Sequence, residues 1–278
     1  MKYVDISNPM GVRQAALNES YFFDCKCTKC ARGAIHQEDV FDRPAEQLKD
    51  EWKDKARFLL GKWEKLPKDF PKFQLGDTLP ERYLAAIQAE AFAYAGVDIS
   101  HDAGAWHGSL GEAQHALQMC IGTGLWPLHR QPVPHLLRQI FSTYLSIGDH
   151  YRAFRVGLKL HFEITPKLQP ERFYPDRVID TWSMHTLANQ LASPQNEDIF
   201  TEFLAAGVDL RDVYFMFLYE VHEQIPLMNG KDSPFGKVVE NIWSQIEPRV
   251  SAETIKRKGD EVRPKLEALT RAFKPAQL

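Results

Sequence analysis

The chain has 278 residues, of which 44% are hydrophobic and 26% charged, and its formal net charge is −3. This composition is typical of a folded globular protein with one large core or two modest ones. The chain has no basic excess for nucleic acid and no apolar run of the roughly 20 residues that a membrane helix needs, so we expect neither nucleic acid nor membrane as a partner.

The N-terminal residues favour an intracellular protein. Met1 is followed by Lys2-Tyr3-Val4-Asp5 and not by a long apolar segment. Thiols two residues apart suit a metal better than a disulfide framework. We therefore expect the protein in the cytoplasm or the nucleus.

The first predicted element is a short connector helix. Asn8-Pro9 combines a capping residue with a proline at the first helical position, which is a good helix start. Val12, Ala16 and Leu17 then fall on one side before Tyr21.

Three of the four cysteines follow this helix at once, as Cys25, Cys27 and Cys30. The C-x-x-C and C-x-C spacings can place three thiolates on one metal ion, whereas a thioredoxin-type redox role lacks the βαβ pattern that it needs. A structural zinc site has four ligands, so His36, Cys120 or a group outside this chain completes it, or no stable site forms.

The run from Tyr21 to Cys30, YFFDCKCTKC, resembles the end of the SET domain and the post-SET region of the SET and MYND-domain lysine methyltransferases. In that family a strand ending in tyrosine, a short helix and an aromatic-x-Phe pair precede C-x-C-x-x-C. The resemblance implies that Tyr3 is the active-site tyrosine and that Tyr21 also lines the lysine channel. It further implies that Phe23 packs on the adenine of S-adenosylmethionine and that the three cysteines bind zinc.

The same resemblance implies that much of the SET domain would precede Met1. The earlier SET strands, the Asn-His-Ser-Cys segment with the fourth zinc ligand, the Gly-rich cofactor loop and the MYND fingers are not in this sequence. A split gene, a misassigned start codon or an expressed fragment would each produce such a start. We therefore expect an incomplete zinc site, S-adenosylmethionine binding only where the missing SET portion is supplied, and an inactive lone chain. The implied partner is a protein or peptide substrate carrying a histone or non-histone lysine.

From about residue 40 the pattern changes to helical periodicity. We assign residues 1–40 to a SET remnant plus the post-SET zinc segment, and residues 41–278 to an all-α C-terminal domain. Apolar stripes predict helices over 48–63, 80–96 and 110–121.

The segment from Pro134 to Thr165 resembles half of a tetratricopeptide repeat. Tyr144-x-x-Ile147-Gly148-x-x-Tyr151 matches the residues that join two helices of that repeat through a tight turn at Gly148. Leu160 and Arg172 stand where the repeat has alanine and proline, so we predict a tetratricopeptide-like unit and not an array.

The remaining segments are predicted to be helical and complete a mainly α fold. Breaks are expected at Gly207, Pro226 and Pro248. The expected helices cover 176–191, 196–206, 209–224, 231–246 and 251–273.

A second interpretation needs no catalysis. Paired helices can bind a protein or peptide in a concave face, and the cysteine segment would then be vestigial. The sequence leaves both interpretations open, the methyltransferase and the helical interaction module.

Overall fold

A computed structural model describes residues 10–31, 104–122, 128–129, 131–228 and 230–273. Every regular element in these ranges is helical and none is a strand, so the predicted mainly α class is confirmed. None of the helices in these ranges is long and apolar enough to cross a membrane. Tyr3, the predicted boundary near residue 40 and the helices predicted over 48–63 and 80–96 lie outside the described residues.

The chain divides into two compact units, Met1–Thr143 and Tyr144–Leu278. The described helices of the first unit begin with α1 (Met10–Tyr21), α2 (Thr28–Ala31) and α3 (Trp106–Gly122). α1 confirms the predicted connector helix. α3 begins at Trp106 and not near residue 110, directly after a turn in which Gly104 has φ +69°.

Two helices flank the glycine turn that the sequence indicated. They are α4 (Val133–Ser146), in which the division between the units falls, and α5 (His150–Lys159). Gly148 has φ +79°, a conformation that a residue without Cβ adopts at little cost. The Asp149 carboxylate accepts from the amide of Arg152 at 3.0 Å and so caps α5.

The chain after α5 widens into one turn of π-helix, Leu160–Ile164, before α6 (Thr165–Leu168). The amide of Thr165 donates to the carbonyl of Leu160, which is the five-residue step of a π turn. The residues of this turn include the buried His161.

Two long helices, α7 and α9, pack against each other at the centre of the second unit. α9 also contacts α10 and α11, and α5 contacts α7 and α11. One apolar cluster of this core contains Val178, Leu218, Val221, Val239 and Trp243. The bounds are α7 Pro175–Leu191, a 3₁₀ turn Pro194–Asn196, α8 Glu197–Ala205, α9 Leu210–Met228, α10 Pro234–Ile246 and α11 Ala252–Ala272.

The prediction that Pro226 ends α9 is wrong, because the helix continues to Met228. Proline removes one intrahelical hydrogen-bond donor. Because only two residues of α9 follow Pro226, this loss affects only the last turn of the helix. The amide of Gly230, at φ +80°, donates to the carbonyl of Ile225 at 3.0 Å and closes the end.

Candidate metal centre

The three thiols predicted to bind metal lie together. The sulfur atoms of Cys25, Cys27 and Cys30 are all within 4.8 Å of one another. In a tetrahedral site with Zn–S bonds of about 2.3 Å, sulfur atoms are about 3.8 Å apart. A closure of at most about 1 Å would therefore bring the three thiolates to zinc-binding distance, so the donor set and its spacing fit this ion.

α1 holds the first of these cysteines through a side chain. The amide of Gln14 donates from Nε2 to the carbonyl of Cys25 at 2.8 Å, and its Oε1 accepts from the amide of Cys25 at 2.9 Å. One turn further on, Nδ2 of Asn18 donates to the carboxylate of Asp24 at 3.2 Å. Because both backbone groups of Cys25 are bonded, this ligand is fixed relative to the helix.

α2 brings the other two cysteines together. The amide of Ala31 donates to the carbonyl of Cys27 at 2.7 Å, which closes the short helix. Cys27 and Cys30 are three residues apart, and residues at this spacing share one side of a helical turn. The C-x-x-C spacing thus places both thiols on one side of a helical turn.

The environment of Cys30 favours its protonated form. Burial raises the pKa of this thiol to about 11, hydrogen bonds with Cys27 and Cys25 act in the same direction, and the guanidinium of Arg13 lowers it. Only 6% of Cys30 and 3% of Arg13 is exposed. A thiol must lose its proton to bind a metal, so metal binding here releases protons. Arg13 then lies beside the resulting thiolate and offsets part of its charge.

No further His, Cys, Asp or Glu among the described residues joins the three-thiol group. Cys120 is fully buried on α3 and is not a member. His36 lies outside the residues that the structure describes. In the described part of the chain this group therefore offers three candidate ligands, one fewer than a structural zinc site takes.

The aromatic side chains beside the centre are accessible. Tyr21, the last residue of α1, is 47% exposed and Phe23 is 38% exposed. Phe22, between them, is 88% exposed and has φ +58°, a left-handed conformation directly after the end of the helix. The aromatic run from Tyr21 to Phe23 thus spans the end of α1 and leads into the cysteine segment.

Sequence reasoning missed the two side chains of α1 that support the thiols, Arg13 and Gln14. The sequence did carry one signal, because Arg13 lies four residues before Leu17 and residues at this spacing share one helix face. In the structure both residues are buried. The function of Gln14 had no such signal, because a bond to backbone groups leaves no pattern in side-chain types.

Comparison of the chain with protein-family models and with curated proteins finds no match. The resemblance to the SET and MYND-domain methyltransferases therefore rests on the residues themselves.

Proposed function

We propose that residues 21–30 form a zinc-binding post-SET segment and that this chain is the C-terminal part of an S-adenosylmethionine-dependent protein-lysine methyltransferase. The observation that carries the proposal is the convergence of three thiols, at C-x-C-x-x-C spacing, directly after Tyr21-Phe22-Phe23. Three clustered thiols with a fixed backbone suit a structural ion better than a redox pair.

Zinc in this centre has a structural role. Cys25, Cys27 and Cys30 hold it, and the fourth ligand comes from outside the described residues, by resemblance from the cysteine of a SET portion. Since Phe23 lies two residues before Cys25, the ion fixes the position of that ring as well.

The aromatic residues shape the two sides of a methyl-transfer site. Tyr3 and Tyr21 place oxygen dipoles around the substrate amine, and Phe23 offers one ring face to adenine. S-adenosylmethionine, when bound, supplies the methyl group. One aromatic contact contributes about 1 kcal/mol, whereas cofactor binding must offset several kcal/mol of lost freedom, so the pocket needs the SET portion.

The helical part is the proposed platform for a protein or peptide that carries the lysine. The joined helices α4 and α5 support a tetratricopeptide-like assignment, since Gly148 takes the turn position of the motif and Tyr144 is 2% exposed. This domain would cover the substrate cleft.

A non-catalytic helical interaction module is the second candidate. The observation in its favour is that Tyr144–Leu278 is a compact unit whose helices share an apolar core. Such a unit can present a binding surface without any cofactor.

Reconstitution with a SET fragment that carries an Asn-His-Ser-Cys segment tests the proposal. The chain alone should hold less than one equivalent of zinc after mild chelation and should not bind S-adenosylmethionine. With the fragment, zinc retention, cofactor binding and lysine methylation should appear together. One tightly held zinc in the lone chain would show that the fourth ligand is internal. Reconstitution without cofactor binding would leave the interaction module as the better interpretation.

Two substitutions separate the roles in the reconstituted protein. Tyr3→Phe should abolish most turnover and leave cofactor affinity near normal, because its hydroxyl is assigned to the reacting amine. Phe23→Ala should weaken cofactor binding. A fully active Tyr3→Phe protein would contradict the role assigned to Tyr3.

A further inference from the structure

A small cavity with both polar and apolar lining residues lies within the second unit, between α7, α9 and the π turn. Its volume is about 30 Å³. Thr181 and His161 are buried, whereas Arg172 is exposed, so the cavity opens on the side of Arg172. Its polar lining comprises His161, Arg172, Arg177, Thr181, Glu220 and Gln224.

Glu220 is the one carboxylate in this lining, and its negative charge is already engaged by two neighbouring side chains. Oε2 of Glu220 lies 3.4 Å from Nε2 of His161, and its Oε1 accepts from the guanidinium of Arg263. Burial raises the pKa of Glu220, but His161 and Arg263 outweigh this effect and hold it at about 2. The two oxygens of Glu220 are thus engaged by two donors that approach from α11 and the π turn.

The two arginines of the lining, Arg172 and Arg177, are not paired with a carboxylate in the described ranges in the way that Glu220 is paired with Arg263. Nη1 of Arg177 donates to the carbonyls of Gln169 and Pro170 at 3.0 and 3.1 Å, which fixes the guanidinium without neutralising it. Burial and the neighbouring charges of Arg172 and Arg263 lower the pKa of Arg177, although the carboxylate of Glu220, which Arg263 already engages, acts against them. Within the described ranges neither Arg172 nor Arg177 forms an ion pair. The cavity therefore carries surplus positive charge around a space that is partly withdrawn from water.

We propose that this cavity binds a compact oxyanion group, a phosphate or a carboxylate, between Arg172 and Arg177. Guanidinium groups match the oxygens of both anions, and their bonds to ionised partners are stronger in a partly buried site. Gln224 also lines this space, and its side-chain amide is a further group that can donate to an anion. A cavity of this size holds about two water molecules, so it admits one anionic group while the rest of a larger ligand extends outward past Arg172.

Titration of the isotope-labelled full chain with inorganic phosphate and with acetate tests the site. At constant ionic strength, the NMR signals of Arg172, Arg177 and Gln224 should shift and saturate. Arg172→Gln should weaken this binding roughly tenfold or more, because it removes a charged donor. Arg172→Lys keeps the charge but loses the planar fork and should give an intermediate loss.

The matched control is Arg257→Gln on α11. Arg257 is exposed and pairs with Glu261 at 2.6 Å, away from the cavity lining, so this substitution should leave the titration unchanged. Equal affinities of Arg172→Gln and Arg257→Gln, or shifts that never saturate, would overturn the proposal.

A further titration, with O-phosphoserine in place of inorganic phosphate, distinguishes two sources of the anion. O-phosphoserine binding more tightly than inorganic phosphate would support a group carried by a larger molecule, and equal binding would support a free ion. The inference does not depend on methyl transfer, since all lining residues belong to Tyr144–Leu278.

Discussion

Gln14 fixes a candidate metal ligand without touching its sulfur. Its side chain bonds both the amide and the carbonyl of Cys25, so the backbone from which the thiol extends is held in place. Preorganisation of this kind lowers the entropy that the ligand loses when it binds metal.

We expect Gln14→Ala to weaken zinc binding about tenfold, the lower end of the range for groups that orient metal ligands. The affinity is measured in the reconstituted protein by competition with a chromophoric chelator. Asn18→Ala is the matched control, because Asn18 lies one turn away on α1 and bonds only an exposed carboxylate through its side-chain amide. Its effect should stay below about twofold. Equal losses in the two variants would show that α1 acts as a whole and not through Gln14.

His185 makes a second residue-scale prediction. It is 4% exposed, its Nδ1 lies 3.2 Å from the carbonyl of Tyr214, and its ring contacts those of Trp182 and Tyr214. Burial lowers the pKa of His185 from 6.5 to about 4, although the bond to Tyr214 raises it. The neutral ring, with its proton on Nδ1, is therefore the folded form at neutral pH.

The free energy of unfolding should fall as the pH falls from about 6.5 to about 4. In this window the unfolded chain has taken up the proton of His185 and the folded chain has not, so the unfolded state gains stability, by about 3 kcal/mol in total. Urea unfolding of wild type and His185→Phe across this range measures the effect. The variant should be less stable at pH 7, because the carbonyl of Tyr214 loses its donor, but its stability should depend less on pH. If the unfolding free energies of the two proteins depend on pH in the same way, the assignment of this dependence to His185 is contradicted.

At the scale of elements, the positions of prolines explain which helix predictions were accurate. α11 continues through Pro264, as predicted. The missing donor of Pro264 leaves the carbonyl of Asp260 unpaired, and both residues are exposed, so water can replace the bond. α9 continues past Pro226 although a break was predicted there. Sequence patterns locate a proline and the carbonyl four residues before it, but they do not show whether water reaches that carbonyl.

The start of α10 depends on one glycine. Ser233 caps the helix by accepting from the amide of Gly236 at 3.0 Å. A Cβ at Gly236 would lie 2.5 Å from the carbonyl oxygen of Gly230 and 2.6 Å from that of Lys231. These neighbours are backbone atoms, so the turn before α10 has to move if any side chain is added.

We expect Gly236→Ala to lower the free energy of unfolding by about 2 kcal/mol, through this clash and the loss of the cap geometry. Gly259→Ala is a matched control in the same unit, since its Cβ would meet the flexible side chain of Met216 at 3.3 Å. Better helix propensity offsets that contact, so its effect should stay within about 1 kcal/mol. Urea denaturation monitored by tryptophan fluorescence compares the two. A neutral Gly236→Ala protein would contradict the described turn.

At the scale of the whole molecule, the two candidate sites differ in how far the sequence predicts them. Cys25, Cys27 and Cys30 lie within six residues, so their spacing alone predicted their convergence. The oxyanion cavity joins His161, Arg172, Arg177 and Glu220 from distant parts of the chain, and its charge balance depends on a π turn that no periodicity reveals. Sequence patterns therefore predict local sites, whereas a site assembled by helix packing needs the fold.

The last prediction concerns the independence of the second unit. Its core is formed by contacts of α9 with α7, α10 and α11 and of α5 with α11, all within Tyr144–Leu278. A fragment from Val133, which keeps α4 intact, to Leu278 should therefore unfold cooperatively on heating, as followed by circular dichroism. A fragment of residues 133–250 is the control. It lacks α11 and so exposes the faces of α5 and α9 that α11 covers, and it should lose cooperative unfolding. Loss of cooperativity in the longer fragment as well would show that the units share one core.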